Sequence, residues 1–114
     1  MVTAKSVIIK AELNAREING VEIRFYIDPE TGQPHIYNHG VTEDEVYRVL
    51  KHSGEDRPAS DDSRIAIGQT LSGRYLRVIY VPDQGNKSLF VVTAYELSGK
   101  QLKAYRRRKR KRNK

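Results

Sequence analysis

Apolar positions follow two periods along this chain, and the switches between them mark its elements. Val21, Ile23, Phe25 and Ile27 alternate with Glu22, Arg24 and Tyr26, the two-residue period of a half-buried strand. Asp28-Pro29 stops that strand and Glu30-Thr31-Gly32 supplies a turn. His35-Ile36-Tyr37 reads as a brief extended segment. The period then lengthens: Val46, Val49 and Leu50 recur at three- and four-residue spacing, which predicts a helix over 42–52. Thr42 is its N-cap, and Glu45 three residues later completes a capping box. Val41 and Val46 have the spacing of a hydrophobic staple, and Glu43, Asp44 and Glu45 complement the helix dipole.

The polar stretch from His52 to Asp62 reads as a loop with room for a short edge strand. Two hairpins follow. Ile65 and Ile67 begin the first, Leu71-Ser72-Gly73 turns it, and Tyr75 to Val81 returns with Leu76, Val78 and Tyr80 on one face. Pro82 to Asn86 makes the second turn, and Leu89 to Tyr95 the last strand. The unbroken run Phe90-Val91-Val92 predicts a central strand covered on both faces. A final helix is expected near 98–108. Residues 1–20 read two ways, as an N-terminal extension whose Ala4, Ile8, Ala11, Ala15 and Ile18 are spaced as a helical stripe, the favoured reading, or with a short strand over Ser6 to Lys10. The expected fold is α+β: an antiparallel sheet of about four strands, a central helix at 42–52 and a C-terminal helix near 98–108. It forms a single domain over 21–105, followed by a basic tail over 106–114.

Charge changes this picture more than composition does. The 114-residue chain has a formal charge of +7, but residues 100–114 hold ten Lys/Arg and no acid. Residues 1–99 therefore carry eleven basic against fourteen acidic side chains, a formal charge of −3. A mildly acidic body with a cationic end points to a polyanionic partner, nucleic acid first. The run Arg106, Arg107, Arg108, Lys109, Arg110, Lys111 and Arg112 repels itself, which predicts a disordered end that would neutralise about five to seven phosphates with steep salt dependence. With no cysteine there is no disulfide, thiol nucleophile or cysteine metal site. No apolar run approaches the roughly 20 residues that span a bilayer, so the expectation is a cytoplasmic protein that does not engage a membrane. His35 and His39 are four residues apart, but Gly40 and the Thr42 cap place both before the helix, and no metal or other cofactor is expected.

Several words of the sequence resemble the BrnT family of bacterial toxins, within the wider RelE-like ribonuclease group. The family's K-H-G-V opening is matched by Asn38-His39-Gly40-Val41 and the acidic turn ending in Glu45-Val46. Its arginine-led strand ending in Ile-Gly is matched by Arg64 to Gly68, and its next strand by Gly73-Arg74-Tyr75-Leu76-Arg77-Val78-Ile79-Tyr80. The closing S-A-R…E…Y segment aligns on Thr93-Ala94-Tyr95, Gln101 and Tyr105. The resemblance covers about residues 22–108. Two positions depart from it: Tyr95 stands where the family has arginine, and Gln101 where it has glutamate. The family's helix before K-H-G-V is replaced by the Asp28–Gln33 turn.

The resemblance implies a single-domain, metal-independent ribonuclease acting on messenger RNA, with a small antitoxin as protein partner. Such cleavage needs removal of the 2′-hydroxyl proton, positive charge on the phosphorane oxygens, and a proton for the leaving oxygen. His39 is the candidate for a proton role, with Arg64 and Arg77 as catalytic charges. Arg74 is a further phosphate ligand from an adjoining strand. Tyr80, Tyr95 and Tyr105 are candidates for stacking a splayed base, although tyrosines on strands also commonly fill a core edge. Two alternatives stay open: a non-catalytic RNA- or DNA-binding module on the same fold, and a protein-interaction domain whose basic tail binds an acidic partner.

Overall fold

Alternation along the long strands decides which helix covers which face of the sheet. The computed structural model describes residues 16–18, 20–83, 85 and 87–112. Its elements are β1 (Arg16–Ile18), β2 (Val21–Phe25), a 3₁₀ helix (His35–His39), α1 (Glu43–Lys51), β3 (Glu55–Pro58), β4 (Arg64–Gln69), β5 (Tyr75–Pro82), β6 (Ser88–Glu96) and α2 (Gly99–Arg112). On β5, Leu76, Val78 and Tyr80 join Ala66 of β4 and Ala94 of β6 in a core beneath Val46, Tyr47 and Val49 of α1. The intervening Tyr75 and Ile79 join Ile65, Ile67 and Leu97 beneath Tyr105 and Leu102 of α2. The sheet thus separates an α1 face from an α2 face, and each fully buried aliphatic side chain contributes about 1.5–3 kcal/mol.

The class is α+β, but the sheet differs from the expected antiparallel meander of about four strands. Among the described residues it has six strands in the order β1-β2-β6-β5-β4-β3. Four of the five pairings are antiparallel, whereas β2 runs parallel to β6, with Ile23 opposite Leu89 and Phe25 opposite Val91. A short turn fixes the sense of a hairpin, but β2 and β6 are far apart in sequence and no local signal states how they pair. The expected edge strand is β3. The helical stripe expected over residues 4–18 lies outside the described residues except at its end, where Arg16–Ile18 are a strand paired with β2. Gly20, at φ 83°, stands in the β1–β2 turn, a conformation that suits glycine.

Two further expectations are corrected. His35 to Tyr37 are helical, not extended, and only Pro34 bridges to Ile27. Pro34 opens the 3₁₀ helix and Ile36 anchors it in the α1 core. The last strand is central, yet its α2 face is not covered along its length. Ile79 pairs with Thr93 but Tyr80 with Val91, so Val92 is the extra residue of a bulge and is partly exposed. The apolar run there reflects this bulge instead of two covered faces.

The α1 prediction holds closely. Thr42 and His52 cap the helix, and the capping box is formed by Glu45 N–H donating to Thr42 Oγ1 at 3.3 Å and Thr42 N–H donating to Glu45 Oε1 at 3.0 Å. Gly68 lets α1 approach β4: a Cβ there would stand 3.3 Å from Val49 Cγ1 and from the His52 carbonyl. Among the described residues, no helix is long and apolar enough to cross a membrane.

Candidate functional site

Gly40 and Arg74 build the corner that carries His39. Gly40, at φ 69°, closes the 3₁₀ helix in the left-handed conformation that glycine adopts without strain. Arg74 then ties this corner to α1. Its Nη2 donates to the Gly40 carbonyl at 2.6 Å and to Glu45 Oε1 at 2.7 Å, while its Nε donates to Glu45 Oε2 at 3.0 Å. The Arg74 hydrogen bonds hold the Glu45 carboxyl below its ordinary range, and Glu45 in turn raises the Arg74 guanidinium. Arg74 is therefore committed to structure and leaves the set of expected phosphate ligands. It acts on His39 only through the backbone it clamps.

The exposed His39 ring lies between two others. Its centroid is 5.2 Å from His35 and 6.0 Å from Tyr95. The row continues from His35 to Tyr26 at 5.9 Å and from Tyr26 to Phe90 at 6.4 Å, each contact edge-to-face. Arg24 closes the row over the Phe90 ring at 5.8 Å. Phe90 and Tyr95 are both on β6, so the five rings run beside that strand from one end towards the other. Ala94 is in the α1 core, so Tyr95 faces the other way, onto the α2 face. Tyr26, 42% exposed, leaves a large ring area to solvent.

Register adds a charge to this row. Arg77 is the cross-strand partner of Tyr95, and Ile79 that of Thr93, so His39, Tyr95 and Arg77 follow one another across the 3₁₀ helix, β6 and β5. Among the described residues, Arg77 Nε and the Thr93 hydroxyl on this face, and the Tyr105 hydroxyl in the α2 core, are buried without a hydrogen-bond partner. Each such group costs about 1–3 kcal/mol, and a cost of this kind is retained most readily where a ligand or a reaction makes use of it. Of the three expected catalytic residues, His39 and Arg77 are thus brought to one face.

Arg64 is not. It alternates with Ile65 of the α2 core and shares the face of Ala66, and it lies opposite Tyr80. Its Nε donates to Asp56 Oδ1 at 2.9 Å, and Tyr80 donates its hydroxyl to Asp56 Oδ2 at 2.5 Å. Burial and the Asp56 carboxylate push the Tyr80 phenol up to about 12. Arg64 and Tyr80 therefore belong to a separate cluster on the α1 side of the sheet. Tyr105 is also corrected: it is 1% exposed, in the core beneath α2, and is not available to stack a base.

The expected disordered tail is the second half of a helix through Arg112; residues 113–114 lie outside those described. The sheet holds it down. Glu55, 7% exposed, accepts two hydrogen bonds from Arg108, at 2.8 and 2.9 Å, and one from Arg57. Those contacts lower the Glu55 carboxyl, with Arg108 the largest cause. Arg106 lies over Tyr75 at 5.5 Å and Lys109 over Tyr105 at 5.9 Å. Tyr75 is the next residue but one from Arg77 on the same face of β5, so the start of the basic run adjoins the open half of that face. Lys100, Lys103, Arg107, Arg110 and Lys111 are exposed at helical spacing and form a cationic stripe.

The residues that sequence reasoning missed are Tyr26, His35, Phe90 and Thr93. Only the parallel placement of β2 beside β6 brings the first three into line, and nothing local in the sequence announces that pairing. Among the described residues, no group of three His, Asp or Glu is placed to hold a metal ion. Comparison with family models, with curated proteins and with solved structures gave no match.

Proposed function

We propose that the protein is a BrnT-type, RelE-like toxin that binds single-stranded messenger RNA on the open half of the α2 face and cleaves it without a metal ion. The observation that carries this reading is the succession His39–Tyr95–Arg77 on that face. His39 supplies a proton-transfer group at the exposed end of a clamped corner. Arg77, on the far side of Tyr95 in that succession, supplies a donor for a phosphate oxygen. Tyr95 and Tyr26 stack bases splayed from the strand, and the α2 stripe attracts the backbone. A small antitoxin as partner and a cytoplasmic setting go with the family resemblance and belong to the same proposal.

The test is incubation of the purified chain with labelled messenger RNA in EDTA. Cleavage that persists in EDTA and falls by about 10²-fold or more in His39→Ala is the expected result, the size being that of a lost general acid or base. No cleavage by the wild-type chain removes the ribonuclease reading. One observation favours a non-catalytic RNA-binding module as second reading: tyrosine, not arginine, occupies position 95 at the centre of the succession, which gives a stacking surface in place of a charge. RNA binding without cleavage is the outcome that selects it.

A further inference from the structure

Transesterification at a 2′-hydroxyl moves two protons, one off the attacking oxygen and one onto the leaving oxygen. His39 alone serves only one of these transfers. We propose that His35 is a second catalytic residue, paired with His39 as the other proton carrier, and that Asp28 is its positioning residue. The inference rests on the ribonuclease reading and names a residue for which the family resemblance provides no role.

The two imidazoles are neighbours in the ring row, 5.2 Å between centroids and nearly perpendicular at 80°, in edge-to-face contact. They sit at the two ends of one five-residue 3₁₀ helix whose middle is fixed by buried Ile36, so their spacing is set by the backbone. His35 is also oriented from behind. Its Nδ1 is 3.5 Å from Asp28 Oδ2 and 3.4 Å from the Asn38 side-chain amide. Asp28 is itself held by the turn: it accepts from Glu30 N–H at 2.9 Å through Oδ1 and from Asn38 Nδ2 at 2.8 Å through Oδ2. The protonated imidazole directs its Nδ1 proton at this carboxylate, whereas the neutral ring accepts from the Asn38 amide at Nδ1; in both forms Nε2 is the ring nitrogen not engaged by Asp28 or Asn38. Tyr37 donates to Glu43 and thereby ties the 3₁₀ helix to α1. The groups facing the pair are Asp28, Asn38 and Tyr26 on the His35 side and Tyr95 on the His39 side.

The step balances within the site. The 2′-oxygen bonds to phosphorus while the bond from phosphorus to the 5′-oxygen breaks. The neutral imidazole of the pair takes the 2′-proton, and the protonated one gives its proton to the 5′-oxygen. The products are a 2′,3′-cyclic phosphate and a 5′-hydroxyl, and solvent restores the two protonation states.

The experiment measures single-turnover cleavage and RNA affinity from about pH 5 to 9 for the wild-type chain, His35→Ala, His35→Gln and Asp28→Asn, the range that brackets an ordinary histidine. The wild type is expected to give a bell-shaped profile. His35→Ala and His35→Gln are expected to lose one limb and about 10²–10⁴-fold in rate, with RNA affinity within about twofold. Added imidazole restores rate to His35→Ala. Asp28→Asn keeps both limbs, shifts one, and falls by a smaller factor. A wild type that cuts while both His35 variants cut equally fast with both limbs overturns this inference and leaves the ribonuclease reading standing. Loss of rate with matching loss of RNA affinity and no rescue by imidazole assigns His35 to structure and also overturns it. A wild type that does not cut at any pH removes both.

Discussion

Gly54 shows how much of this architecture depends on a single missing side chain. Its backbone is not in the left-handed region, so glycine there is not explained by φ. The reason is space: a Cβ would stand 2.1 Å from the Tyr105 hydroxyl and 3.3 Å from Lys109 Nζ. Among the described residues, Tyr105 is the largest side chain that is fully buried, and it anchors α2. Gly54→Ala should therefore displace Tyr105 and lower stability by about 1–3 kcal/mol, the usual range for overpacking. Urea unfolding gives the comparison, and a midpoint equal to that of the wild type would show that Tyr105 yields at no cost. Arg74 makes the same point with polar groups, because one guanidinium satisfies a capping-box carboxylate and the carbonyl beside His39. In the sequence it looked like a substrate ligand. Its role is legible only once β5 stands next to α1, where Glu45 takes the guanidinium first.

Among the elements, α2 carries the largest revision. Seven consecutive cations repel one another at i,i+3 and i,i+4 spacing, each pair costing a few tenths of a kcal/mol, which is why the sequence suggested disorder. The structure offsets that cost by three means: Glu55 takes Arg108, two tyrosine rings take Arg106 and Lys109, and positive charge at a helix C-terminus is favourable. Glu55 could not be foreseen as the partner, since β3 is a polar four-residue edge strand in a segment that reads as loop. Among the described residues, Arg107, Arg110 and Lys111 make no such contacts and are exposed. Replacing these three by glutamine should lower the slope of log affinity against log salt for single-stranded RNA by about 2, at roughly 0.7 per neutralised phosphate. Fluorescence anisotropy over a salt series measures it. An unchanged slope would mean that the stripe lies away from the bound strand.

How legible an element was followed from how local its cause is. The capping box, the apolar face of α1 and the alternation of β5 are written in adjacent residues, and the structure repeats them nearly residue for residue. The ring row depends on β2 lying parallel to β6, a contact between distant segments, and the bulge at Val92 shows only in the register of β6 against β5. The sequence grouped His39 and Arg77 with Arg64, because period-two alternation fixes a residue's face only when both neighbours' burial is known.

At the scale of the whole molecule, carboxylates tie the elements together and set the acid limit of stability. Glu45 joins α1 to the β4–β5 turn through Arg74, and Glu55 joins the sheet to α2 through Arg108. Both carboxyls are lowered in the folded state. A lowered folded value means that this stability is fully present above the ordinary glutamate value of about 4.3 and is lost as pH falls below it. Tyr80 acts with the opposite sign. Raised to about 12, it contributes below the ordinary tyrosine value and loses that contribution as pH climbs from about 10 towards 12. Urea midpoints should be level from about pH 5 to 9 and fall on both sides, with Glu55→Gln flattening the acid limb. A midpoint that keeps rising below about pH 4 would contradict the sign assigned to these groups.

The proposed RNA cleavage belongs to the α2 face of the sheet, where His39, Tyr95 and Arg77 follow one another, and not to the α1 face, where Arg64 and Tyr80 hold Asp56. The most direct measurement sets two double variants side by side in one RNA-cleavage assay with EDTA, each checked for folding by circular dichroism. His39→Ala/Arg77→Ala should lose about 10²-fold or more in rate, while Arg64→Ala/Tyr80→Phe should stay within a few-fold of the wild type. The reverse order, with the Arg64/Tyr80 pair essential and the His39/Arg77 pair dispensable, would contradict the assignment of the site.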